Sequence, residues 1–350
     1  MPPGHTPSMK KVTIHDVARA AKVSPATVSR VLNGTARVKP DKAQQVRRVV
    51  AELGYRPNAL AHSLAQGKST KSVGVVVRDL YGEFFSLVIS AFEAELRGAG
   101  YHMICSSSHG SAEEEKQIID LMMRQGVEGL FLMAPCLPDT DLLGLIKMTP
   151  TVLMNRSIPE IAEHCVTVDN RRGGYLATRH LLDLGHTRVA CIIASLTRQF
   201  ARQRLEGYTE ALRERGLSRD DALVIEADDH DHRSGTFATE RLLNLTSFSA
   251  IFASNDVLAS GALKALQKRG ISVPEDVSIT GFDDISISRL TTPSLTTMHY
   301  PAKEMGGTAA QHLVQLIEGG TPEAAPQFES YLIERQSTAR VKPELIESAA

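Results

Sequence analysis

Residues 13–34 read Thr-Ile-His-Asp-Val-Ala-Arg-Ala-Ala-Lys-Val-Ser-Pro-Ala-Thr-Val-Ser-Arg-Val-Leu-Asn-Gly. Thr13, followed three residues on by Asp16, is a capping-box arrangement that opens one helix, with Val17, Ala18 and Ala21 as its apolar stripe. Ser24-Pro25 opens a second helix with a capping hydroxyl and a proline at the first helical position, where its missing N–H costs nothing. Val28, Val31 and Leu32 then share one face, and Asn33-Gly34 ends the helix. Small Ala18 allows a close helix crossing and Val23 fills the turn between them, which is the spacing of a helix-turn-helix. Lys22 stands at the tight turn where glycine is common, at a cost of roughly 1 kcal/mol if the backbone there is left-handed. A third helix is expected from about Lys42 to Leu53, with Gly54 stopping it.

The exposed face of the second helix offers Pro25, Ala26, Ser29 and Arg30 as a major-groove reader. Arginine pairs bidentately with guanine O6 and N7, and small apolar groups meet a thymine methyl. Ser24, Thr27, Ser29 and Asn33 suit phosphate contacts, and Thr13 is a further candidate DNA contact. Charge supports this reading. Through Lys71 there are 13 Lys and Arg against 3 Asp and Glu, whereas the remainder holds 26 against 37. A basic head on an acidic body is the electrostatic footprint of a nucleic-acid-binding segment.

Working outward, residues 1–11 read as a disordered tail, 12–56 as the helix-turn-helix domain and 57–71 as a connector. The connector's centre, Ala59 to Ala65, is long enough for about two helical turns, which are marginal alone in water. From Val73 onward, continuous apolar strand candidates alternate with amphipathic helices, the pattern of parallel sheets covered on both faces. Ten strand candidates exceed one typical sheet, so an all-α head joined to an α/β body of two doubly wound lobes is expected. That body is placed at 72–340, with one lobe at about 72–170 and 301–328, the other at about 171–300 and 329–340, and a tail at 341–350.

The four cysteines are widely spaced and form no CxxC pair, so they read as thiols in a reducing compartment. No apolar run approaches the ~20 residues that span a bilayer, and Met1 to Ser8 lack the apolar centre of a secretion signal. A cytoplasmic chain without membrane partners is expected. Walker A, HExxH, GxSxG and strand-linked GxGxxG patterns are absent, so no enzyme and no cofactor are expected. Asp228-Asp229-His230-Asp231-His232 contains metal-ligand types, but contiguous loop residues rarely converge on one ion, and no metal is expected.

The run from Asp16 to Asn33, together with Gly54-Tyr55-Arg56-Pro57-Asn58-Ala59, resembles the LacI/GalR family of bacterial regulators. Gly185-His186, Arg204-Leu205-x-Gly207-Tyr208, Gly281-Phe282-Asp283-Asp284 and Leu295-Thr296-Thr297 extend the resemblance through the body. Asn155-Arg156 and Cys165-Val166-x-Val168-Asp169-Asn170 are most similar to the galactose repressor and isorepressor branch. The resemblance implies a homodimer on palindromic double-stranded operator DNA. It also implies that the connector becomes a hinge helix there, with Asn58 and Ala61 at the DNA and Leu64 wedged into the minor groove. It implies a small-molecule effector, a sugar or sugar derivative, in the cleft between lobes. By position, Phe84, Phe85, Asn155, Asp169, Arg198, Arg204, His230, Asn255, Asp283 and Tyr300 would contact it. The function implied is a repressor of sugar-catabolism genes released by its effector. The alternative is a regulator that tightens on DNA with a purine. His230 stands where relatives often carry a large aromatic, which leaves the identity of the effector open.

Overall fold

The computed structural model describes residues 12–33, 38–55, 69–80, 82–326 and 328–342. The tails and the connector residues Asn58, Ala61 and Leu64 lie outside these, as does the side chain of Asn33. The chain divides into two compact units, Met1–Thr70 and Lys71–Ala350.

In the first unit, α1 (Ile14–Ala20), α2 (Pro25–Asn33) and α3 (Pro40–Leu53) enclose a small core of Val17, Ala18, Ala21, Val28, Val31, Val46 and Val49. The capping box is complete. The Asp16 amide donates to Thr13 Oγ1 at 3.3 Å, and the Thr13 amide donates to Asp16 Oδ2 at 3.0 Å. Ser24 Oγ accepts from the Thr27 amide at 3.2 Å, capping α2 ahead of Pro25. Lys22 holds φ 51°, so the turn is made in left-handed backbone without glycine. The third helix begins at Pro40 rather than near Lys42, because proline suits the first helical turn.

The second unit holds two sheets. β1 (Ser72–Val77), β2 (His102–Ser107), β3 (Gly129–Met133), β4 (Thr151–Met154) and β5 (Cys165–Val166) form one in the order β2-β1-β3-β4-β5, all parallel. Helices α4 (Glu83–Gly98), α5 (Ala112–Arg124) and α6 (Asp139–Met148) connect its strands. The chain then enters the second lobe through α7 (Asn170–Asp183), β6 (Val189–Ile193), α8 (Gln199–Glu214), β7 (Val224–Glu226), α9 (His232–Leu245), β8 (Ala250–Ala253), α10 (Asp256–Lys268), β9 (Ser278–Asp283), α11 (Ile287–Leu290) and β10 (Thr296–His299). The second sheet repeats the winding of the first, in the order β7-β6-β8-β9-β10, with β11 (Tyr331–Ile333) added antiparallel at its edge. α12 (Ala302–Ile317) intervenes between β10 and β11 and packs back on the first lobe. A Cβ on Gly306 of α12 would lie 2.4 Å from the Val88 carbonyl of α4. Among the described residues no helix is long and apolar enough to cross a membrane.

A reciprocal glycine contact seats α8 on α7. A Cβ on Gly207 would lie 2.0 Å from the Arg171 carbonyl, and one on Gly174 would lie 2.2 Å from that of Arg204. Gly207→Ala is therefore expected to lower stability by about 1–3 kcal/mol or more, since backbone must move to admit the methyl group. Gly144→Ala in α6, where no atom lies within 4 Å of the new Cβ, should be neutral or stabilising by up to ~1 kcal/mol. Urea unfolding of both variants checks the contrast; equal losses would show that the close approach is not what matters.

Candidate functional site

Parallel strands deliver their carboxyl ends to one edge of each sheet, and ligands of such sheets bind outside those ends. Here the two edges face each other. Arg78 follows β1, Ala134 follows β3 and Asn155 follows β4. From the other lobe, Asn255 follows β8, Asp283 ends β9 and Tyr300 follows β10. Between them lies a narrow cleft with about 80 Å³ of free internal space.

Arg204 of α8 is the charged centre of the cleft and is 3% exposed. Its Nε donates to Asn170 Oδ1 at 2.9 Å, Nη1 donates to the Ser254 carbonyl, and Nη2 lies 3.5 Å from Asp283 Oδ1. The guanidinium carbon sits 3.5 Å from the ring centre of Phe282. Burial lowers the Arg204 pKa, and Asp283 opposes that shift. Burial pushes Asp283 up to about 7, with Arg204 holding it down. Behind this pair Asp256, wholly buried, is raised well above the carboxylate range by burial and by the nearby Asp283. It accepts from the Ile285 amide at 3.0 Å and from the Thr297 hydroxyl. Asp283 holds φ 108° and Asn155 φ 58°, backbone that non-glycine residues adopt at a cost.

The structure brings Phe84, Phe85, Asn155, Arg204, His230, Asn255 and Asp283 to the cleft wall. Phe84 stands edge-on to Phe85 (5.7 Å, 74°) and to Tyr300 (4.9 Å, 89°). The Tyr300 hydroxyl donates to Asn155 Oδ1, so Tyr300 supports the wall from behind it. Asn255 also caps α10, its Oδ1 accepting from the Leu258 amide at 2.7 Å.

One expected contact needs correction, and a second stands back from the wall. Asp169 is exposed and does not line the cleft; its Oδ1 accepts from the Arg172 amide at 2.8 Å and caps α7. Its neighbour Asn170 is the residue that reaches the centre, through Arg204. Arg198 is not in the wall itself but stands close behind His230, which is. It is 5% exposed and its Nη1 donates to the Ala134 carbonyl at 2.6 Å, across the lobes. In the Asp- and His-rich loop, Asp231 caps α9 through the Ser234 amide at 2.7 Å, and Asp229 accepts from Arg78 Nη2. Sequence reasoning missed Phe200, Asp79, Glu83 and Ile285, which also line the space. Asp79 and Ile285 lie just past strand ends, which was the available signal, whereas Phe200 and Glu83 sit in the first turns of α8 and α4.

On the head, Ala26 and Arg30 are exposed and Pro25, Thr27 and Ser29 half-buried on α2, opposite buried Val28 and Val31. The Ser24 and Thr27 hydroxyls bond each other at 2.9 Å, and the Thr13 hydroxyl donates to Asp16 Oδ2 at 2.7 Å.

A helix-turn-helix head joined to a two-lobed, cleft-bearing α/β body defines a ligand-responsive DNA-binding regulator. Residues 13–58 match the model for bacterial regulatory proteins of the lacI family, and residues 178–338 match the periplasmic binding protein-like domain. The HTH-type transcriptional regulator GalR of Escherichia coli K12 is 36% identical over 329 residues, 93% of this chain and 96% of that protein. Among solved structures, the transcriptional regulator CelR–cellobiose complex aligns with a TM-score of 0.71 at 30% identity, covering 93% of this chain and 99% of that one. The lac repressor dimer bound to operator and the anti-inducer ONPF aligns at 0.73 and 28% identity, covering 94% and 100%. This chain belongs to the lacI family of bacterial transcription regulators.

The Asp283 pKa, raised above that of an unfolded chain, makes folding favour the protonated carboxyl. Its contribution is fully present below the unfolded value and is lost as pH rises towards 7. Asp283→Asn should therefore gain thermal stability relative to the native chain as pH is raised from 4 to 8. A melting-temperature difference that stays constant over that range would contradict the shift.

Proposed function

We propose that the chain is a sugar-responsive repressor. A homodimer would grip a palindromic operator with one head per half-site, and a sugar closing between the lobes would release it. The observation that carries this is the Arg204–Asp283 pair in the cleft, walled by aromatic side chains, in a chain that also presents an exposed recognition face on α2. Guanidinium and carboxylate together serve neighbouring hydroxyls as donor and acceptor, while aromatic rings cover the C–H faces of a sugar. The related CelR, solved with cellobiose, supports the same ligand class. The connector would carry the coupling, with Asn58 and Ala61 at the DNA and Leu64 as the minor-groove wedge. The compartment would be the cytoplasm, where the operator is.

The test starts from duplexes selected out of a random pool by the full-length chain and follows their release by fluorescence anisotropy. An added sugar should raise the duplex Kd. Asp283→Ala should bind the duplex with native affinity and ignore the sugar. If that variant still responds normally, Asp283 is not a ligand contact. A purine that tightens the complex while sugars do nothing would reverse the sign of the coupling and favour a corepressed regulator.

Arg30→Ala should lose about 1–3 kcal/mol of discrimination at one position of each half-site. Unchanged base preference in the reselected pool would remove its reading role.

A further inference from the structure

The cleft has a second polar region, beside the Arg204–Asp283 pair, that neutral hydroxyls do not account for. His230 lines the cleft, yet its Nε2 is buried and has no hydrogen-bond partner. Nearby, Nη1 of Arg78 is likewise buried without a hydrogen-bond partner, while Nη2 bonds Asp229, the residue next to His230. Arg198 reaches the same place from the other lobe. Both guanidiniums flank Gly110: a Cβ there would lie 3.2 Å from Arg198 Nη2 and 3.4 Å from Arg78 Nε. Two cations from opposite lobes thus converge within a residue's width, next to cleft-lining His230, Asp79 and Ala134.

The charges close only loosely around Arg198. Arg204 has Asp283 at 3.5 Å, and Arg78 has Asp229, with Asp79 farther off at 3.9 Å. Among the described residues no carboxylate lies within 4.0 Å of Arg198, whose Nη1 holds only a backbone carbonyl. The buried carboxylate of Glu115 acts on Arg198 only from beyond that distance, so the guanidinium is loosely compensated, and the bare buried donor of Arg78 beside it adds a desolvation cost. Burial and the arginines push His230 down to about 3, so its imidazole is neutral at neutral pH and serves an anion as a hydrogen-bond donor through Nε2 in the tautomer that carries the proton there.

We propose that the effector carries an acidic group, a carboxylate or a phosphate, which docks between Arg78 and Arg198 and takes the free His230 Nε2 as a donor. The effector is then an acidic sugar derivative. This rests on the sugar-cleft reading above and narrows it. Phe84, Phe85, Asn155 and Asp283 would hold the neutral ring, and the arginine end would discriminate against the unsubstituted sugar.

The test is calorimetric titration of the full-length chain with matched probes: D-galactose against D-galacturonate and galactose 6-phosphate, D-glucose against D-glucuronate and glucose 6-phosphate, D-ribose against ribose 5-phosphate, and inorganic phosphate alone. At least one acidic probe should bind tenfold or more tightly than its neutral parent, and much more tightly than inorganic phosphate. Which acidic probe wins separates carboxylate from phosphate. Arg78→Gln and Arg198→Gln should each shrink the preference to under threefold while affinity for the neutral parent stays within twofold. Should a variant fail to fold, the native chain's preference still decides. A neutral sugar bound as tightly as its acidic partners overturns the acidic end and leaves the sugar-responsive repressor standing. Inorganic phosphate bound as tightly as the sugar phosphates overturns it too, since the ring would then contribute nothing. A chain that binds none of the sugars, neutral or acidic, overturns both.

Discussion

A guanidinium kept away from water must be met on every side, and Arg204 is met from four directions. Asn170 at the start of α7, the Ser254 carbonyl after β8, Asp283 at the end of β9 and the face of Phe282 each take part of it. Removing one partner from such a buried group costs several kcal/mol, because the charge that remains is uncompensated. The arrangement therefore demands that α8 sit close against α7, and the paired glycines 174 and 207 permit it. Helix spacing, strand ends and site chemistry are thus settled by one desolvated charge.

The cleft is closed by polar contacts between lobes as well as by apolar packing. Gln199 and Ser157 exchange two hydrogen bonds at 2.7 and 3.1 Å, and Glu83 accepts from the amide and hydroxyl of Ser286 at 2.9 and 2.6 Å. Arg198 to Ala134 and Arg78 to Asp229 join the same set. Interactions of this kind shift between water and protein at small net cost, which suits surfaces that must part and re-form. The aromatic group of Phe84, Phe85 and Tyr300 provides the apolar counterpart.

Much of the fold is legible in the chain itself, because punctuation and periodicity are local. Thr13 with Asp16 and Ser24 with Pro25 announce two helices, and runs such as Val73–Val77 announce buried strands. Helix α6 carries a weak signal because Gly144 interrupts its apolar stripe, and β11 carries little because three residues at an edge make little pattern. The starts of α7 and α9 are hard to read for one reason: Asp169 and Asp231 are side-chain caps, and a cap looks like any other loop carboxylate. The same ambiguity made Asp169 resemble a ligand contact. Arg78 and Asp229 stand 151 positions apart, and no local signal links them. Family resemblance pointed to half of the residues that line the cleft, but it could not tell which side chains spend their polar atoms on the protein's own backbone.

α12 belongs structurally to the lobe built from β1 to β5, although it follows all five parallel strands of the other sheet. The polypeptide accordingly passes between lobes three times, after β5, after β10 and again before β11. Neither half is a contiguous stretch of gene. No single break in the coding sequence yields a self-sufficient half, so one crossover cannot exchange one wall of the cleft while keeping its opposite. A single crossover therefore transmits the two walls together, and point substitution is the simplest route by which one wall changes while the other stays.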